Sequence, residues 1–177
     1  MKIVFKDFIY LNDNEKINIL ELRNQDFVRA NMVNSEPISL KNHLSFIEDL
    51  KKYKNKRYFA ISKEDEILGS LNFIKRDEIS WGLYFKDEMS PVLKACITYI
   101  FLDYIFLKFD ENINSFVKKE NKQALSFNKN FGFEVFKEDD KYIYLKLSKK
   151  IWTNQKNTKL IKPVKRYLDK IEYYFKD

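Results

Sequence analysis

The chain has 177 residues, which suits one domain of ordinary size, and its 45% hydrophobic and 16% aromatic residues exclude a wholly disordered protein. A single cysteine, Cys96, excludes an internal disulfide and a cysteine-rich zinc site, and we expect it to be a buried core thiol. The net charge of +7 lies mainly in the tail, because residues 149–177 carry +6 of it. A nucleic-acid-binding domain spreads basic residues over one face, so we expect no nucleic-acid partner.

Signals for membrane insertion and secretion are missing. The most apolar stretch, residues 95–109, is interrupted by Asp103 and Lys108 and is shorter than the roughly 20 apolar residues that a membrane-spanning helix needs. Lys6 and Asp7 interrupt the N-terminal stretch, where a secretory signal is continuously apolar. We therefore expect no transmembrane segment and a cytoplasmic location.

Hydrophobic spacing and capping residues predict alternating helices and strands in residues 1–148. A helix with irregular apolar spacing is expected over 18–31, and a clearly amphipathic helix over 39–52 has Ser39 as its N-cap. Further elements are strands at 57–62, 66–75 and 79–85, a helix from 91 to about 108 capped by Ser90, a strand at 113–118, a helix at 121–130 ended by Gly132, and strands at 134–136 and 142–147. This order predicts a mixed α/β fold.

The tail is a separate region by composition, so we divide the chain into a main domain, 1–148, and a basic segment, 149–177. A polar linker over 153–159 precedes a helix that begins at Pro163. Its apolar residues follow near-heptad spacing: Val164, Leu168, Ile171 and Phe175. This stripe fits packing on the same domain or on a second subunit, so a homodimer is one expectation. Docking on a membrane surface or another partner is the alternative, because basic residues accompany the stripe.

Common catalytic and nucleotide-binding motifs are absent. The sequence contains no GxGxxG, GxxxxGK[ST], HExxH or GxSxG pattern and no EF-hand loop. Three glycines in the chain argue against a glycine-built phosphate cradle, and one histidine, His43, excludes a site with several histidine ligands. We therefore expect no bound metal.

Two stretches resemble the GNAT acyltransferase superfamily. Residues 79–108 are similar to the region that begins with its fourth strand, and the order of elements agrees. Residues 120–133 resemble the superfamily pattern N-x-x-A-h-x-h-Y-x-x-x-G-F at six positions: Asn121, Ala124, Leu125, Phe127, Gly132 and Phe133. The resemblance implies a GNAT fold, with a splayed central mixed sheet flanked by helices, here with an added C-terminal helix.

Within the superfamily, the N-terminal part resembles the PseH-type N-acetyltransferases, which modify a nucleotide-linked amino sugar in pseudaminic acid synthesis. The matching residues are Arg23, Asn24, Met32, Ile38, Ser39, His43, Phe46, Ile47, Tyr58 and Phe59. The resemblance spans roughly residues 17–147 and leaves out the tail. It implies transfer of an acetyl or other short acyl group from a pantetheine thioester to the amine of a UDP- or dTDP-linked sugar, for surface or flagellar glycans.

The resemblance also implies roles on the donor side. Backbone N–H groups around Leu83 and Tyr84 are expected to hold the thioester oxygen and the pantetheine of acetyl-CoA. The helix that begins near Ser90, with Lys94 in its first turn, is expected to direct its positive N-terminus at the donor phosphates. Asn121 is expected to support the pantetheine or a bound water.

On the sugar side, the resemblance implies that Arg23 and His43 contact the diphosphate or the uracil, since a guanidinium and an imidazole suit phosphate oxygens. The expected additions are Lys75 and Tyr84 as polar contacts, and Met32, Phe46 and Trp81 as an apolar wall against the sugar. Ordinary structural roles are the alternatives: a surface position for Arg23, a satisfied helix histidine for His43, and plain core for the three apolar residues.

At two places the sequence differs from the superfamily pattern. As a result, neither the acyl donor nor the group that protonates the thiolate is determined by the resemblance. Residues 86–91, KDEMSP, contain two acids and no glycine where the superfamily has [RQ]xxGx[GA]. Asn128 takes the catalytic position of the tyrosine that commonly protonates the thiolate. An amide can hydrogen-bond but cannot supply a proton, so either another acid serves, such as Tyr84 or water, or catalysis is weak. An acyl carrier protein presents phosphopantetheine without adenosine diphosphate, and its acidic surface would suit the basic tail, so it is the alternative donor.

Two other functions fit the same sequence. A GNAT enzyme can acetylate a protein N-terminus, although the resemblance of the Arg23–His43 region favours the sugar. A catalytically inactive GNAT fold can also bind a sugar nucleotide or a partner protein. Release of free thiol from a thioester distinguishes the enzyme from the binding protein.

Overall fold

The computed structural model describes residues 1–155 and 161–177. Its strands are β1 Lys2–Asp7, β2 Lys56–Lys63, β3 Glu66–Lys75, β4 Ile79–Phe85, β5 Ile113–Lys118, β6 Glu134–Glu138, β7 Tyr142–Leu147 and β8 Glu172–Lys176. Its helices are α1 Asp13–Asn24, α2 Asp26–Arg29, α3 Leu40–Leu50, α4 Pro91–Lys108, α5 Lys122–Asn130, α6 Lys149–Gln155 and α7 Lys162–Leu168, with a short 3₁₀ turn at Phe8–Tyr10. The strands form one sheet in the order β6-β7-β5-β4-β3-β2-β1-β8. This mixed sheet confirms the predicted α/β fold class.

The chain divides into two compact units. Unit 1 comprises Met1–Ile74, Gly82–Met89 and Ile171–Asp177, and unit 2 comprises Lys75–Trp81 and Ser90–Lys170. The boundary falls inside β4, between Trp81 and Gly82. In this division α6 and α7 belong to unit 2 and β8 belongs to unit 1, and the domain boundary expected at residue 148 stays a prediction.

Unit 1 is built on the antiparallel strands β1, β2 and β3, with β8 added parallel to β1. A capping box formed by Asn12 and Glu15 begins α1, and Ser39 accepts from the Asn42 N–H to begin α3, as its position predicts. The core of this unit consists of buried apolar residues from these helices and strands: Phe8, Leu11, Ile19, Leu22, Val28, Ile47, Leu50, Ala60 and Ile67.

Unit 2 is centred on α4, which begins at Pro91 with Ser90 as its cap, as predicted. Cys96 on this helix is fully buried, and burial raises the pKa of its thiol to about 11, which confirms the expected core thiol. Strands β5, β7 and β6 pair antiparallel, whereas the parallel ladder between β4 and β5 consists of two residue pairs, Ile79–Ile113 and Ser80–Asn114. None of the helices in the described residues has the length and apolarity to cross a membrane.

The tail departs from its prediction. The helix that contains Pro163 ends at Leu168, and the expected continuation through Ile171 and Phe175 is wrong, because residues 172–176 form β8. Five residue pairs join β8 to β1, and the Phe175 ring stacks on Phe5 at 4.3 Å between centroids, so strand pairing outweighs the helical spacing. Val164 and Ile171 are buried within the chain, so the predicted stripe is not an exposed dimer surface. The expected linker begins inside α6, and its residues 156–159 lie outside the described residues.

The N-terminal region also differs from its prediction. The irregular helix expected over 18–31 is two helices, because Gln25 adopts an extended conformation between α1 and α2. Strand β1 was not expected from the sequence at all. It alternates exposed and buried residues, with Ile3 and Phe5 fully buried, but lysines at both ends and Asp7 weaken the pattern.

Candidate active site

Five polar residues of unit 1 lie together beside its apolar core: Arg23, His43, Tyr58, Ser70 and Tyr84. We call them the polar cluster. The ring of Phe8 links two of them, at 6.3 Å from the His43 ring and 5.8 Å from the Tyr58 ring between centroids. The Tyr84 hydroxyl is hydrogen-bonded to Ser70 and interacts electrostatically with Arg23 and Tyr58. Helices α1 and α3 and strands β2, β3 and β4 therefore each contribute one member.

Arg23 is partly buried, with an incompletely satisfied guanidinium. Its Nη2 donates to the backbone carbonyl of Asn34 at 3.2 Å, whereas Nη1 is buried and has no hydrogen-bond partner among the described residues. Burial is the main influence on this group and lowers its pKa, while Tyr84 opposes that shift. A buried donor without an acceptor is costly, so this nitrogen suits an anionic or carbonyl oxygen of a ligand.

His43 is 5% exposed, and its protonation state follows from its contacts. The Lys16 backbone carbonyl accepts a hydrogen bond from the imidazole, and burial, the larger influence, lowers the pKa below the ordinary 6.5. Nε2 is buried and has no partner among the described residues. The ring is therefore neutral at physiological pH with its proton on Nδ1, and Nε2 is a hydrogen-bond acceptor. It suits an N–H or O–H of a ligand, which fits the expected uracil contact and not the expected phosphate contact.

Tyr84 keeps its proton over the whole physiological range. Burial raises the pKa of its hydroxyl far above the ordinary value of 10, and the hydrogen bond with Ser70 and the charge of Arg23 only partly oppose this shift. Such a hydroxyl can donate a hydrogen bond or a proton. Gly69 on β3 allows the Tyr84 backbone on β4 to approach closely. A Cβ atom at Gly69 would lie 2.4 Å from the Tyr84 backbone oxygen, which is too short a contact.

Two of the three expected apolar wall residues accompany the polar cluster. Met32 and Phe46 are partly buried against the unit 1 core, and the Phe46 ring meets Tyr58 edge-on at 5.0 Å between centroids. Trp81 instead belongs to unit 2, where it is buried and stacked on Phe133 at 5.1 Å. The structure therefore gives Trp81 the core contacts of the structural alternative, and its contact with a sugar stays a prediction.

Lys75 also lies in unit 2, where its Nζ is 2.6 Å from Glu111 Oε1 in an ion pair. Its expected substrate contact stays a prediction as well. Sequence reasoning did not name Tyr58 or Ser70 as site residues. Ser70 interrupts the apolar run of β3, which is a signal that the sequence alone could have supplied. The structure shows that Ser70 is 2% exposed, and a buried hydroxyl needs a hydrogen-bond partner.

The residues expected to hold the donor lie mainly in unit 2. At the start of α4, the Ser90 hydroxyl accepts from the Leu93 N–H at 3.2 Å, and the Ser90 carbonyl accepts from the Lys94 N–H at 3.0 Å. Pro91 carries no N–H. The helix end keeps its partial positive charge, but few of its N–H groups are available to a phosphate.

Asn121, before the first residue of α5, and Asn128, within it, each hydrogen-bond to the backbone of that helix. Asn121 is the N-cap, and its Oδ1 accepts from the Ala124 N–H at 2.9 Å. Asn128 is 6% exposed, and its Nδ2 donates to the Ala124 carbonyl at 2.8 Å. Its Oδ1 is buried without a partner among the described residues. An amide cannot supply a proton to a departing thiolate, so Asn128 can take part only by hydrogen bonding, and that catalytic role stays a prediction.

The chain is similar to bacterial acetyltransferases, although no family model matches it. Acetyltransferase PseH of Campylobacter jejuni is 28% identical over 147 residues, which cover 81% of this chain and 92% of PseH. The crystal structure of the Campylobacter jejuni N-acetyltransferase PseH in complex with acetyl coenzyme A has a TM-score of 0.67 with this chain at 24% identity. The match covers 83% of this chain and 99% of that structure. The chain therefore shares the fold of this acetyltransferase.

A second GNAT structure supports the same fold. Apo FdhC, described as a nucleotide-linked sugar GNAT, has a TM-score of 0.68 at 21% identity and covers 82% of this chain and 88% of its own. The GNAT fold expected from the sequence is thereby confirmed. The names of the curated relatives agree with the expected acyltransferase class. The short β4–β5 ladder agrees with the splayed sheet that the GNAT resemblance implies.

Proposed function

We propose that this GNAT protein transfers an acetyl group from acetyl-CoA to the amine of a nucleotide-linked amino sugar, in the cytoplasm, for surface or flagellar glycans. PseH, an N-acetyltransferase solved with acetyl coenzyme A, supports the donor and the acetyl transfer. FdhC, a nucleotide-linked sugar GNAT, supports the acceptor class. The observation that carries the proposal is a pair of buried nitrogens in the polar cluster. Arg23 Nη1 is a donor and His43 Nε2 is an acceptor, and neither has a partner among the described residues.

A sugar nucleotide supplies a partner for each nitrogen. Diphosphate oxygens are strong acceptors for a guanidinium N–H. The imide N–H of uracil or thymine can donate to a neutral imidazole, and so can a sugar hydroxyl. UDP and dTDP both carry the diphosphate and the imide, so these two contacts accept either nucleotide. Met32 and Phe46 then provide the apolar contact for the sugar ring.

In the proposed reaction the amine nitrogen attacks the acetyl carbonyl carbon, the C–N bond forms and the C–S bond breaks. Acetyl-CoA supplies the acetyl thioester. The backbone N–H groups around Leu83 and Tyr84 hold the carbonyl oxygen as it gains negative charge. The proton that the amine loses passes to solvent, and the Tyr84 hydroxyl gives its proton to the departing sulfur and regains one from solvent.

On the donor side, the residues fit a pantetheine arm better than the pyrophosphate of coenzyme A. The end of the two-pair β4–β5 ladder suits the arm, and Asn121 at the start of α5 supports it. The N-terminus of α4 offers few N–H groups to phosphate, so the region of Ser90 and Lys94 binds the donor phosphates weakly. An acyl carrier protein is therefore the alternative donor.

The test is turnover of acetyl-CoA by the purified full chain with a panel of UDP- and dTDP-linked amino sugars, followed by free thiol release and product mass. We expect thiol release that depends on one sugar, with a mass gain of one acetyl group. The same panel with acetyl-loaded carrier protein identifies the donor. Acetylation of peptide N-termini without any sugar turnover would contradict the proposal, and nucleotide-sugar binding without thiol release from either donor would leave a binding protein.

A further inference from the structure

Strand β8 lies at one end of the sheet, where it pairs with β1 in the described part of the chain. Its sequence, Glu-Tyr-Tyr-Phe-Lys, begins with an acid and ends with a base. Tyr173 and Tyr174 are 49% and 44% exposed, which is high for aromatic side chains in a strand. The strand contains no proline and its five residues pair with β1 without a bulge, so two common protections of a sheet edge are absent.

The direction of the main-chain groups follows from one hydrogen bond. The Glu172 N–H donates to the Met1 carbonyl at 2.9 Å, so Glu172 directs its main chain toward β1. Because N–H and C=O groups alternate sides along a strand, Tyr174 and Lys176 do the same. Tyr173 and Phe175 direct theirs to the opposite side, along the outer edge of the sheet.

We infer that β8 pairs with β8 of a second copy of this chain, antiparallel and centred on Tyr174. In this register Tyr173 of one copy lies opposite Phe175 of the other, and the symmetric pair repeats the contact. Both residues direct N–H and C=O groups outward, so two hydrogen-bonded pairs form across the symmetry axis, with four main-chain hydrogen bonds. The two copies form an isologous dimer with a continuous sheet.

Charge selects this register and orientation. Antiparallel pairing about Tyr174 places Glu172 opposite Lys176 of the second copy at both ends of the strand. These are the non-hydrogen-bonded pairs, in which side chains approach most closely. A parallel, in-register pairing would place Glu172 opposite Glu172 and Lys176 opposite Lys176, which is unfavourable. The strand is therefore self-complementary for a closed dimer and not for a growing stack of copies.

The experiment is sedimentation equilibrium of the full chain and of charge-reversed variants over a range of protein concentrations. We expect a concentration-dependent dimer for the unchanged chain. Glu172→Lys alone and Lys176→Glu alone each create two like-charge pairs and should weaken dimerisation about tenfold. The double variant Glu172→Lys/Lys176→Glu restores opposite charges and should recover the original dissociation constant.

A mixture of the two single variants supplies a second check, because their strands are complementary to each other. We expect a heterodimer about as stable as the original dimer. Circular dichroism and thermal unfolding of each variant verify that β8 and the fold persist. A monomer at all concentrations would overturn the inference, and so would a dimer that is insensitive to all three variants.

Discussion

At the scale of single residues, Arg23 and His43 are the most informative side chains because each has one nitrogen satisfied by its own chain and one without a described partner. Arg23 uses Nη2 to hold the Asn34 carbonyl, and His43 donates to the Lys16 carbonyl. These contacts fix the orientation of both groups before any ligand arrives. Preorganised polar groups lose less freedom on binding, which favours affinity and specificity.

Replacing Arg23 with methionine tests its contact with the sugar nucleotide. We expect Arg23→Met to raise the KM for the sugar nucleotide roughly 10- to 100-fold, because a charge-assisted hydrogen bond is lost, while the KM for acetyl-CoA changes little. Arg29→Met is the matched control. Arg29 donates to the Ser35 carbonyl, as Arg23 does to Asn34, but it lies outside the polar cluster and pairs with Asp26. Equal effects of the two variants in steady-state kinetics would show that Arg23 acts only by holding the loop.

The single histidine makes a clean pH experiment possible. Because burial lowers the pKa of His43 in the folded protein, the unfolded chain binds a proton at higher pH than the folded one. The stabilising effect of the neutral imidazole is therefore complete above pH 6.5 and is lost as the pH falls toward the folded pKa. We expect the free energy of unfolding of the wild type, relative to His43→Asn, to decrease between about pH 7.5 and pH 5. A pH-independent difference in urea unfolding would contradict the buried neutral ring.

At the scale of elements, local signals predicted the helix ends and the hairpin strands well. Ser90 and Pro91 begin α4, and Gly132 adopts φ of +91° after α5, each as expected. Partners distant in sequence were not predictable in this way. Strand β8 carries apolar residues at a spacing that also suits a helix, and only pairing with β1 decides between them.

The same limit applies to the site. Residue type and family resemblance identified Arg23, His43 and Tyr84, which the polar cluster brings together. They could not show that Lys75 is paired with Glu111, since an ion pair over this sequence separation leaves no local pattern. The sequence also could not predict which nitrogen of His43 donates a hydrogen bond and which accepts one. That assignment depends on the Lys16 carbonyl, which belongs to another helix.

Two glycines in neighbouring strands allow a matched test of the β3–β4 packing. A Cβ atom at Gly69 would meet the Tyr84 backbone oxygen at 2.4 Å, whereas at Gly82 it would meet the end of the Asn72 side chain at 2.9 Å. A side chain can rotate away and a paired backbone cannot. We expect Gly69→Ala to lower the free energy of unfolding by about 1–3 kcal/mol, and Gly82→Ala to change it by less than about 1 kcal/mol. Urea unfolding measures both, and an equal loss would refute the close backbone approach.

At the scale of the whole molecule, the residues of the donor side predict how much the nucleotide part of coenzyme A contributes to the reaction. The N-terminus of α4 has few N–H groups for phosphate, and Asp87 and Glu88 precede it as exposed acids. We expect kcat/KM with acetyl-phosphopantetheine to be within about tenfold of that with acetyl-CoA, because the pyrophosphate adds little binding energy. A much larger loss in a thiol-release assay would show that the chain grips the nucleotide part of coenzyme A by other residues.

The parallel pairing of β1 with β8 has a consequence for synthesis on the ribosome. Residues 2–6 leave the exit tunnel long before their partners, 172–176, because most of the described chain lies between them. The edge of β1 that receives β8 therefore stays uncovered until residues 172–176 have been made. Closing it requires contact between segments far apart in sequence, which is a slow kind of folding event. For this protein, we expect the pairing of β1 with β8 to be a late step in the folding of unit 1.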